Sequence, residues 1–278
     1  MQIKPYRKII IAVAPVGREI NLPSTNPLSP QAVADEVVAC SQAGAAMVHL
    51  HVRDHKGIQT AELKDFARTL DLICQASDII IQGSTGGLSD LTLEERCVAL
   101  NDPRVEAASL NMGSVNFGET VYINTLPDIR YWAGRMAETG VVPELEIFEA
   151  GMLPVCRQLA QEGVIRPPYS INFCLGAHWA MPADPRSLFF LTTMMQDTAP
   201  WGIIQDGMPD LSLLAAAIAM GATVIRVGFE DSVYYAPGRA ARSNVELVQH
   251  AAALVRSTGF EIATAEEARK MLAISSSP

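Results

Sequence analysis

Short apolar segments alternate with longer helix-like segments along the whole chain, and this alternation constrains the fold more than any other feature of the sequence. The apolar segments are rich in β-branched residues and have the length of buried strands. Eight segments are predicted to be strands: residues 8–14, 45–51, 78–84, 105–110, 144–148, 169–174, 202–205 and 223–229. Repeated strand-then-helix units predict a parallel sheet covered by its connecting helices.

Helix boundary signals lie between these segments. Three predicted helices have a start signal: Ser29 and Pro30 before residues 31–43, Thr92 before residues 93–100, and Asp210 before residues 211–220. Hydroxyl and carboxylate side chains at such positions accept hydrogen bonds from the free N–H groups of the first helical turn. Gly44 and Gly221 stand where two of these helices should end.

The number of repeats predicts a single (β/α)8 TIM barrel. A chain of 278 residues is close to the roughly 250 residues typical of that architecture. The alternative is a doubly wound open sheet, which would normally carry G-x-G-x-x-G after its first strand; residues 14–17 read Ala-Pro-Val-Gly instead. No linker rich in Ser, Pro or Gly divides the chain. We therefore predict one catalytic barrel domain over residues 1–278, with a short extra C-terminal helix at residues 264–274.

Charge, cysteine content and hydrophobic segment length argue against several classes of protein: nucleic-acid-binding, disulfide-stabilised and membrane proteins. A formal net charge of −9, without a long run of Lys or Arg, disfavours a nucleic-acid partner. The five cysteines are odd in number and include no C-x-x-C pair, which disfavours a disulfide framework and a thiolate zinc site. The apolar run at residues 9–16 is too short for a signal peptide or a membrane span. We expect a soluble protein of the reducing cytoplasm, without a membrane partner.

Polar residues are concentrated at the C-terminal ends of the predicted strands. Active sites of (β/α)8 barrels lie at these ends and in the loops that follow them. The residues are Arg18, Glu19 and Asn21; His49, His51, Arg53 and Asp54; Gln82 and Ser84; Ser109, Asn111, Ser114 and Asn116; Glu144 and Glu146; Asn172; and Arg226, Glu230 and Asp231. Glu144 and Glu146 are interpreted as a buried structural pair rather than as an acid/base couple.

The segment VHLHVRD at residues 48–54 places two histidines at positions i and i+2 of a strand. Such residues project to the same face, so the imidazoles of His49 and His51 should lie side by side. Two neutral imidazoles suit a divalent cation such as zinc, which then needs one more ligand and an open position for catalysis. The alternative is that both are half-buried histidines satisfied by backbone carbonyls.

The eighth predicted strand offers a third ligand. Arg226, Gly228 and Glu230 share one face of this strand, and closure of the barrel brings strands eight, one and two close together. A carboxylate at the barrel mouth is costly unless it is paired or metal-bound. Two imidazoles and one carboxylate form a complete catalytic metal set. A structural ion pair of Arg226 with Glu230 or Asp231 is the alternative.

Six spaced segments make the sequence similar to the β-keto acid cleavage enzyme family over nearly its whole length. They are AGA-x-x-VHLHVRD-x-x-G (43–57), STGG (84–87), ASL-x-x-GSVNFG (108–118), PELEIFEAG (143–151), RVGFED (226–231) and ATAEEAR (263–269). The resemblance implies a zinc-dependent (β/α)8 barrel that condenses a β-keto acid with acetyl-CoA, yielding acetoacetate and a new acyl-CoA. We also expect a homo-oligomer.

The resemblance implies roles for individual residues. It assigns His49, His51 and Glu230 to zinc, and Arg226 with Asp231 to the acid/base pair. The other implied contacts are Ser84, Ser109 and Asn111 with the keto acid and Glu19 with its variable end. Asn116 and Gly118 are predicted to contact CoA, because the segment NMGSVNFG (111–118) could line a phosphate-bearing ligand; an ordinary loop is the alternative. The match is looser at two of these positions, because residue 109 is Ser where threonine is common and residue 111 is Asn where other polar residues occur.

In the implied reaction, Asp231, oriented by Arg226, takes a proton from the carbon between the keto and carboxylate groups, and the carbanion attacks the thioester of acetyl-CoA.

A zinc-dependent hydrolase of a small carboxylated metabolite is the alternative function, with Asp231 as the base beside an open coordination site. A binding protein without turnover is the third hypothesis, which Arg226 and Asp231 beside Glu230 argue against. The keto acid stays open, since Glu19 suggests a cationic end and Arg18 a carboxylate.

Overall fold

A closed barrel of eight parallel strands forms the centre of the protein. The structure is a computed structural model that describes residues 7–17, 25–87, 90–196 and 198–275. The barrel strands, numbered in chain order, are β1 (Lys8–Val13), β2 (Met47–Leu50), β3 (Ile80–Gly83), β4 (Ala107–Asn111), β5 (Val142–Ile147), β6 (Ser170–Leu175), β7 (Trp201–Gln205) and β8 (Val224–Val227). Each strand pairs with the next, and β8 returns to β1 with Ile10 opposite Val224. The predicted TIM barrel is confirmed.

Helices connect successive strands around the outside of the barrel. In the described residues they are α1 (Pro30–Ala43), α2 (Leu63–Cys74), α3 (Leu93–Arg96), α4 (Leu126–Thr139), α5 (Met152–Gln161), α6 (Pro185–Met194), α7 (Ser212–Met220), α8 (Asn244–Ser257) and α9 (Ala265–Leu272). The predicted C-terminal helix is confirmed as α9. Within the described ranges, none of these helices combines the length and apolar character that crossing a membrane requires.

The helix boundary signals act largely as predicted. Ser29 accepts a hydrogen bond from the backbone N–H at position 32, and Gly44 and Gly221 end their helices with φ of 119° and 114°. Glycine adopts this left-handed conformation without a Cβ penalty. The prediction for residues 93–100 is only partly right, since the chain leaves α-helical geometry at Cys97 and continues as a 3-10 turn, Val98–Asn101.

Several very short strands lie outside the eight predicted segments. Two hairpins follow β4 and β8: Val115–Phe117 with Thr120–Tyr122, and Tyr234–Ala236 with Arg239–Ala240. A further strand, Glu261–Ile262, pairs with β1. Segments of two or three residues are too short to show a period of two, so the sequence pattern does not reveal them. The first hairpin contributes Phe117 and Tyr122 to the lining of the cavity at the barrel mouth.

The interior of the barrel changes character from bottom to top. At the N-terminal ends of the strands it is apolar, with Ile10, Met47 and Ile80 fully buried and packed in one cluster with Ala268 and Leu272 of α9. The C-terminal helix therefore closes the bottom of the barrel. Toward the C-terminal ends the inward positions are buried but polar, which concentrates hydrogen-bonding and ionisable groups at one end of the molecule.

Candidate active site

The two histidines lie together at the end of β2. His49 is within the strand and His51 directly follows it, and their ring centroids are 5.4 Å apart. His49 is only 2% exposed. Burial lowers the pKa of its imidazole to about 3, so the ring is neutral at physiological pH. A neutral imidazole is the form that binds a metal ion. The predicted side-by-side placement of the two rings is confirmed.

Glu230 lies beside the histidines, but it is positioned by a turn after β8 and not, as was predicted, by the strand itself. Strand β8 ends at Val227, so alternation along a strand does not place Glu230, and that part of the prediction is wrong. Gly228 turns the chain with φ of 140°, and a Cβ there would lie 2.2 Å from the Ala14 carbonyl oxygen. The Glu230 N–H donates to that same carbonyl at 3.1 Å. The turn, packed against the end of β1, aims the carboxylate at the histidines.

His49, His51 and Glu230 form a compact set of ligand atoms. Oε1 of Glu230 lies 3.7 Å from Nε2 of His49 and 3.5 Å from Nε2 of His51. One donor atom from each residue lies within 4.8 Å of the other two. Two imidazole nitrogens and one carboxylate oxygen form the donor set of catalytic zinc sites that keep an open position. The residues present therefore fit a divalent cation.

Arg226 connects this set to two further carboxyl groups. Its guanidinium donates to Asp231 through two nitrogens, Nε to Oδ2 at 2.8 Å and Nη2 to Oδ1 at 2.5 Å. Nη2 also lies 3.4 Å from Oε1 of Glu230, and Nη1 lies 3.8 Å from Oε1 of Glu146. Because Arg226 is 5% exposed, its charge depends mainly on the carboxylates of Asp231 and Glu230 for stabilisation. The paired geometry fixes the orientation of the Asp231 carboxylate.

Glu146 is a candidate functional residue that the sequence analysis interpreted only as structural. Burial raises the pKa of its carboxyl to about 8, although the positive charge of Arg226 opposes the rise. Glu146 lines the cavity at the barrel mouth, whereas Glu144 lies one inward position deeper on β5 and is not in that lining as the described residues define it. The sequence indicates only that Glu146 lies nearer the mouth than Glu144, since it comes later on the same inward face of the strand. It does not show that the floor of the cavity falls between the two residues.

A cavity of about 450 Å³ opens above these groups at the C-terminal end of the barrel. Its volume is within the range that binds small metabolites. The lining includes His49, His51, Glu146, Arg226, Glu230 and Asp231 together with Arg53, Ser84, Asp206 and several apolar residues. The metal-ligand set and the Arg226–Asp231 pair thus face one shared space.

Comparison with known proteins identifies the family. The sequence profile described as beta-keto acid cleavage enzyme matches residues 8–274. The chain belongs to this family. A 3-keto-5-aminohexanoate cleavage enzyme of Fusobacterium nucleatum is 36% identical over 272 residues, 96% of this chain and 98% of that protein. A 3-oxoadipate:acetyl-CoA acetyltransferase of Cupriavidus necator is 35% identical over 277 residues, 96% and 95% of the two chains.

A solved structure supports the fold of this beta-keto acid cleavage enzyme family member. The apo structure of ObcA superposes with a TM-score of 0.77 at 20% sequence identity, covering 90% of this chain and 65% of that one. At this level of identity the likeness shows the shared barrel and no more. The fold and the beta-keto acid cleavage enzyme family are therefore established independently of the site geometry.

The predicted keto-acid contacts of this family member lie at different depths. Ser84 lines the cavity, and its Oγ accepts a hydrogen bond from the Gly86 N–H at 3.1 Å. Ser109 and Asn111 are both 2% exposed and lie outside the cavity lining as far as the described residues define it. Ser109 Oγ is 3.4 Å from the Thr85 nitrogen. Contact of these two residues with the substrate stays a prediction.

The predicted CoA contacts, Asn116 and Gly118, lie on the hairpin beside the barrel mouth. Asn116 is exposed, and the Gly118 N–H donates to the His178 carbonyl at 3.1 Å in the loop after β6. Phe117, between them, lines the cavity. Contact with CoA stays a prediction for both. Glu19, predicted to contact the variable end of the keto acid, lies outside the described residues.

An aromatic surface on one side of the cavity is a second feature that the sequence pattern did not predict; it is called the aromatic wall. Phe117, Tyr122 and Phe148 all line the cavity and contact one another edge-to-face, with centroids 6.2 to 6.4 Å apart. The Tyr122 hydroxyl also accepts a hydrogen bond from the Gly87 N–H at 3.1 Å. These rings come from the hairpin and from the end of β5, so no single segment of sequence shows that they form one surface.

The buried Glu146 carboxyl predicts a pH-dependent stability. Its pKa rises on folding from 4.5 to about 8, so the native state keeps a proton that the unfolded chain releases between these values. The unfolding free energy of the metal-free protein should therefore fall as pH rises from about 5 to about 8, by up to about 1.4 kcal/mol per pH unit. Urea denaturation of wild type and Glu146→Gln across this range measures the effect. A fall of equal slope in both proteins would assign it to other groups.

Proposed function

We propose that this protein condenses a β-keto acid with acetyl-CoA and releases acetoacetate and a new acyl-CoA. The observation that carries the proposal is the convergence, in one cavity, of the His49, His51 and Glu230 ligand set with the Arg226–Asp231 pair. Membership of the beta-keto acid cleavage enzyme family supports it, as does the acetyl-CoA dependence stated in the name of the Cupriavidus necator relative.

The three ligands would hold a divalent ion, with zinc the best match to two imidazoles and one carboxylate. When bound, zinc would supply Lewis acidity toward the keto and carboxylate oxygens of the substrate. The protein contributes a neutral His49, whose protonation would otherwise compete with the metal. Ser84 adds a hydroxyl at the cavity wall that can donate to a substrate oxygen.

Asp231 would remove the proton from the carbon between the keto and carboxylate groups. Arg226 holds the Asp231 carboxylate by two hydrogen bonds and so keeps its orientation constant. Glu146, on another side of the same guanidinium, carries its own proton near neutral pH, since burial raises its pKa to about 8. Arg226 therefore contacts both the side chain proposed as the base and a second carboxyl group whose pKa is raised.

The remaining steps conserve every atom. The carbanion attacks the thioester carbonyl of acetyl-CoA, forming a carbon–carbon bond and releasing the CoA thiolate. That thiolate attacks the original ketone of the substrate, and cleavage of the adjacent carbon–carbon bond gives the new acyl-CoA and the carbanion of acetoacetate. This carbanion takes back the proton that Asp231 removed in the first step, which yields acetoacetate and restores the base. Negative charge develops on oxygen in the enolate and in each tetrahedral intermediate, and fixed hydrogen-bond donors and a cation stabilise it there.

Dependence on acetyl-CoA tests the proposed reaction against zinc-dependent hydrolysis on the same barrel. We expect acetoacetate and the new acyl-CoA to appear together, in equal amounts, only when acetyl-CoA is supplied. A panel of β-keto acids assayed with and without acetyl-CoA gives the answer and also identifies the preferred acid. Cleavage of the same acids at an equal rate without acetyl-CoA would favour the hydrolase.

Glu19 is proposed to recognise the charge at the far end of the keto acid. The names of the relatives show both signs of charge, an amine in 3-keto-5-aminohexanoate and a second carboxylate in 3-oxoadipate. Leaving a charge unpaired in a partly desolvated site costs about 2 kcal/mol or more. We therefore expect Glu19→Gln to lower kcat/KM about thirtyfold for an amine-bearing β-keto acid.

The matched measurement uses an anionic β-keto acid with the same Glu19→Gln protein. Its kcat/KM should stay constant or rise, because removal of the carboxylate removes a repulsion. Equal losses on the two acids would reject the role of Glu19 and favour Arg18 as the residue that faces the substrate.

A further inference from the structure

Gln82 contacts the side of His49 that faces away from the ligand set. Oε1 of Gln82 lies 2.7 Å from Nδ1 of His49, and the two side chains are 1% and 2% exposed. Gln82 is an inward residue of β3 and pairs with His49 of β2 in the sheet register. The other ring nitrogen of His49, Nε2, is the one that lies 3.7 Å from Glu230. The two nitrogens of this ring therefore have separate partners.

We infer that Gln82 holds the His49 ring in the tautomer with its proton on Nδ1, which keeps the Nε2 lone pair directed at the metal position. An amide oxygen can only accept, so a 2.7 Å contact with it requires the ring nitrogen to donate. In the opposite tautomer, Nε2 would carry the proton and could not bind a metal. Gln82 is thus a positioning residue, and this inference rests on the metal centre proposed above.

The orientation of the Gln82 amide decides which tautomer of His49 it favours. With its nitrogen toward the ring, the amide would donate to Nδ1, and the ring proton would then lie on Nε2. The structure places the amide oxygen 2.7 Å from Nδ1, and the amide nitrogen is buried without a hydrogen-bond partner among the described residues. The two orientations therefore predict opposite tautomers, which NMR distinguishes.

The second histidine shows why this contact matters. Nδ1 of His51 is buried and has no hydrogen-bond partner among the described residues. Among the described residues, the contact with Gln82 is therefore the hydrogen bond that orients an Nδ1 atom of the imidazole pair. Partners of this kind orient ligating histidines, and their removal typically weakens metal binding about 10- to 100-fold.

The tautomer can be measured in the wild-type protein without any metal. Long-range nitrogen–proton NMR spectra of protein labelled at the histidine rings distinguish a proton on Nδ1 from one on Nε2, and the His49→Gln variant assigns the signals. We expect His49 to carry its proton on Nδ1. A His49 ring protonated on Nε2, or an equal mixture of the two tautomers, would overturn the inference.

Zinc affinity, measured by competition with a chelator, separates positioning from packing. We expect Gln82→Leu to bind zinc about 10- to 100-fold more weakly than wild type, and Gln82→Glu, which keeps an acceptor, to bind it more tightly than Gln82→Leu. A packing role predicts the reverse order, because glutamate adds a buried charge beside Glu144 whereas leucine fits an apolar interior. The control, Gln205→Leu, removes another buried amide, 6% exposed, and should bind zinc like wild type.

These outcomes also separate the inference from the proposed function. If wild type binds zinc and Gln82→Leu binds it equally well, the inference is wrong and the metal centre stands. If wild type binds no zinc, the proposed centre is wrong and the inference is wrong with it.

Discussion

Replacing Asp231 with asparagine should lower turnover about 100- to 10,000-fold while leaving the metal content unchanged. The expected loss is the contribution of a general base to a proton-transfer step. Asparagine keeps the shape of the side chain and can still accept a hydrogen bond from Arg226, but its amide cannot take a proton from carbon. Steady-state kinetics with saturating acetyl-CoA, together with metal analysis of the same preparation, measure both quantities.

Asp102 provides a matched control for this experiment. It is 6% exposed and receives a two-point contact from Arg104, Nε to Oδ1 at 2.8 Å and Nη2 to Oδ2 at 2.7 Å, which resembles the Arg226–Asp231 pair. Asp102→Asn therefore disrupts a similar ion pair away from the cavity. We expect it to keep wild-type turnover once folded. Wild-type turnover in Asp231→Asn, or an equal loss in Asp102→Asn, would contradict the assignment of Asp231 as the base.

His51→Ala should lose nearly all bound metal, and with it the acetoacetate-forming activity. Three ligands converge within 4.8 Å, and the removal of one leaves an incomplete set for a catalytic zinc ion. Metal analysis after dialysis against a weak chelator, with zinc added back in a titration, measures the loss. Full retention of zinc would mean that the two imidazoles have a structural role only.

His55→Ala is the control for the metal experiment. His55 belongs to the same sequence segment, but its side chain is 64% exposed and its Nδ1 lies 3.5 Å from a carboxylate oxygen of Asp65. This contact is outside the ligand set. We expect His55→Ala to bind zinc and turn over like wild type, so that a loss specific to His51→Ala reports on the metal centre rather than on the number of histidines.

The strands and their end-of-strand residues could be predicted because both depend on local spacing. A buried barrel strand is a short apolar run, and each of the eight runs in the sequence corresponds to an observed barrel strand. The pair His49 and His51 follows from the two-residue period of a strand, which holds wherever the strand lies in the sheet. The resemblance to the family then implied a metal-binding role for histidines that strand alternation had already placed at the barrel mouth.

The role of neighbouring acidic residues could not be predicted in the same way. Glu144 and Glu146 are both glutamates, and they lie two residues apart on β5, so both side chains point to the inside of the barrel. Depth in the barrel separates them, because Glu146 lines the cavity near Arg226 while Glu144 lies below it beside Gln82. Depth depends on the stagger of the closed sheet, which is a property of all eight strands together.

By itself, the sequence determined the barrel strands, the polar end of the barrel and the paired imidazoles, since each of these follows from neighbours within a few residues. Only the tertiary structure decided how Glu230 meets them. Its carboxylate is placed by a turn at Gly228 that packs against Ala14, more than two hundred residues earlier in the chain, and the aromatic wall likewise joins a hairpin to β5. Contacts between such distant segments form only when the barrel closes, and so no local pattern encodes them.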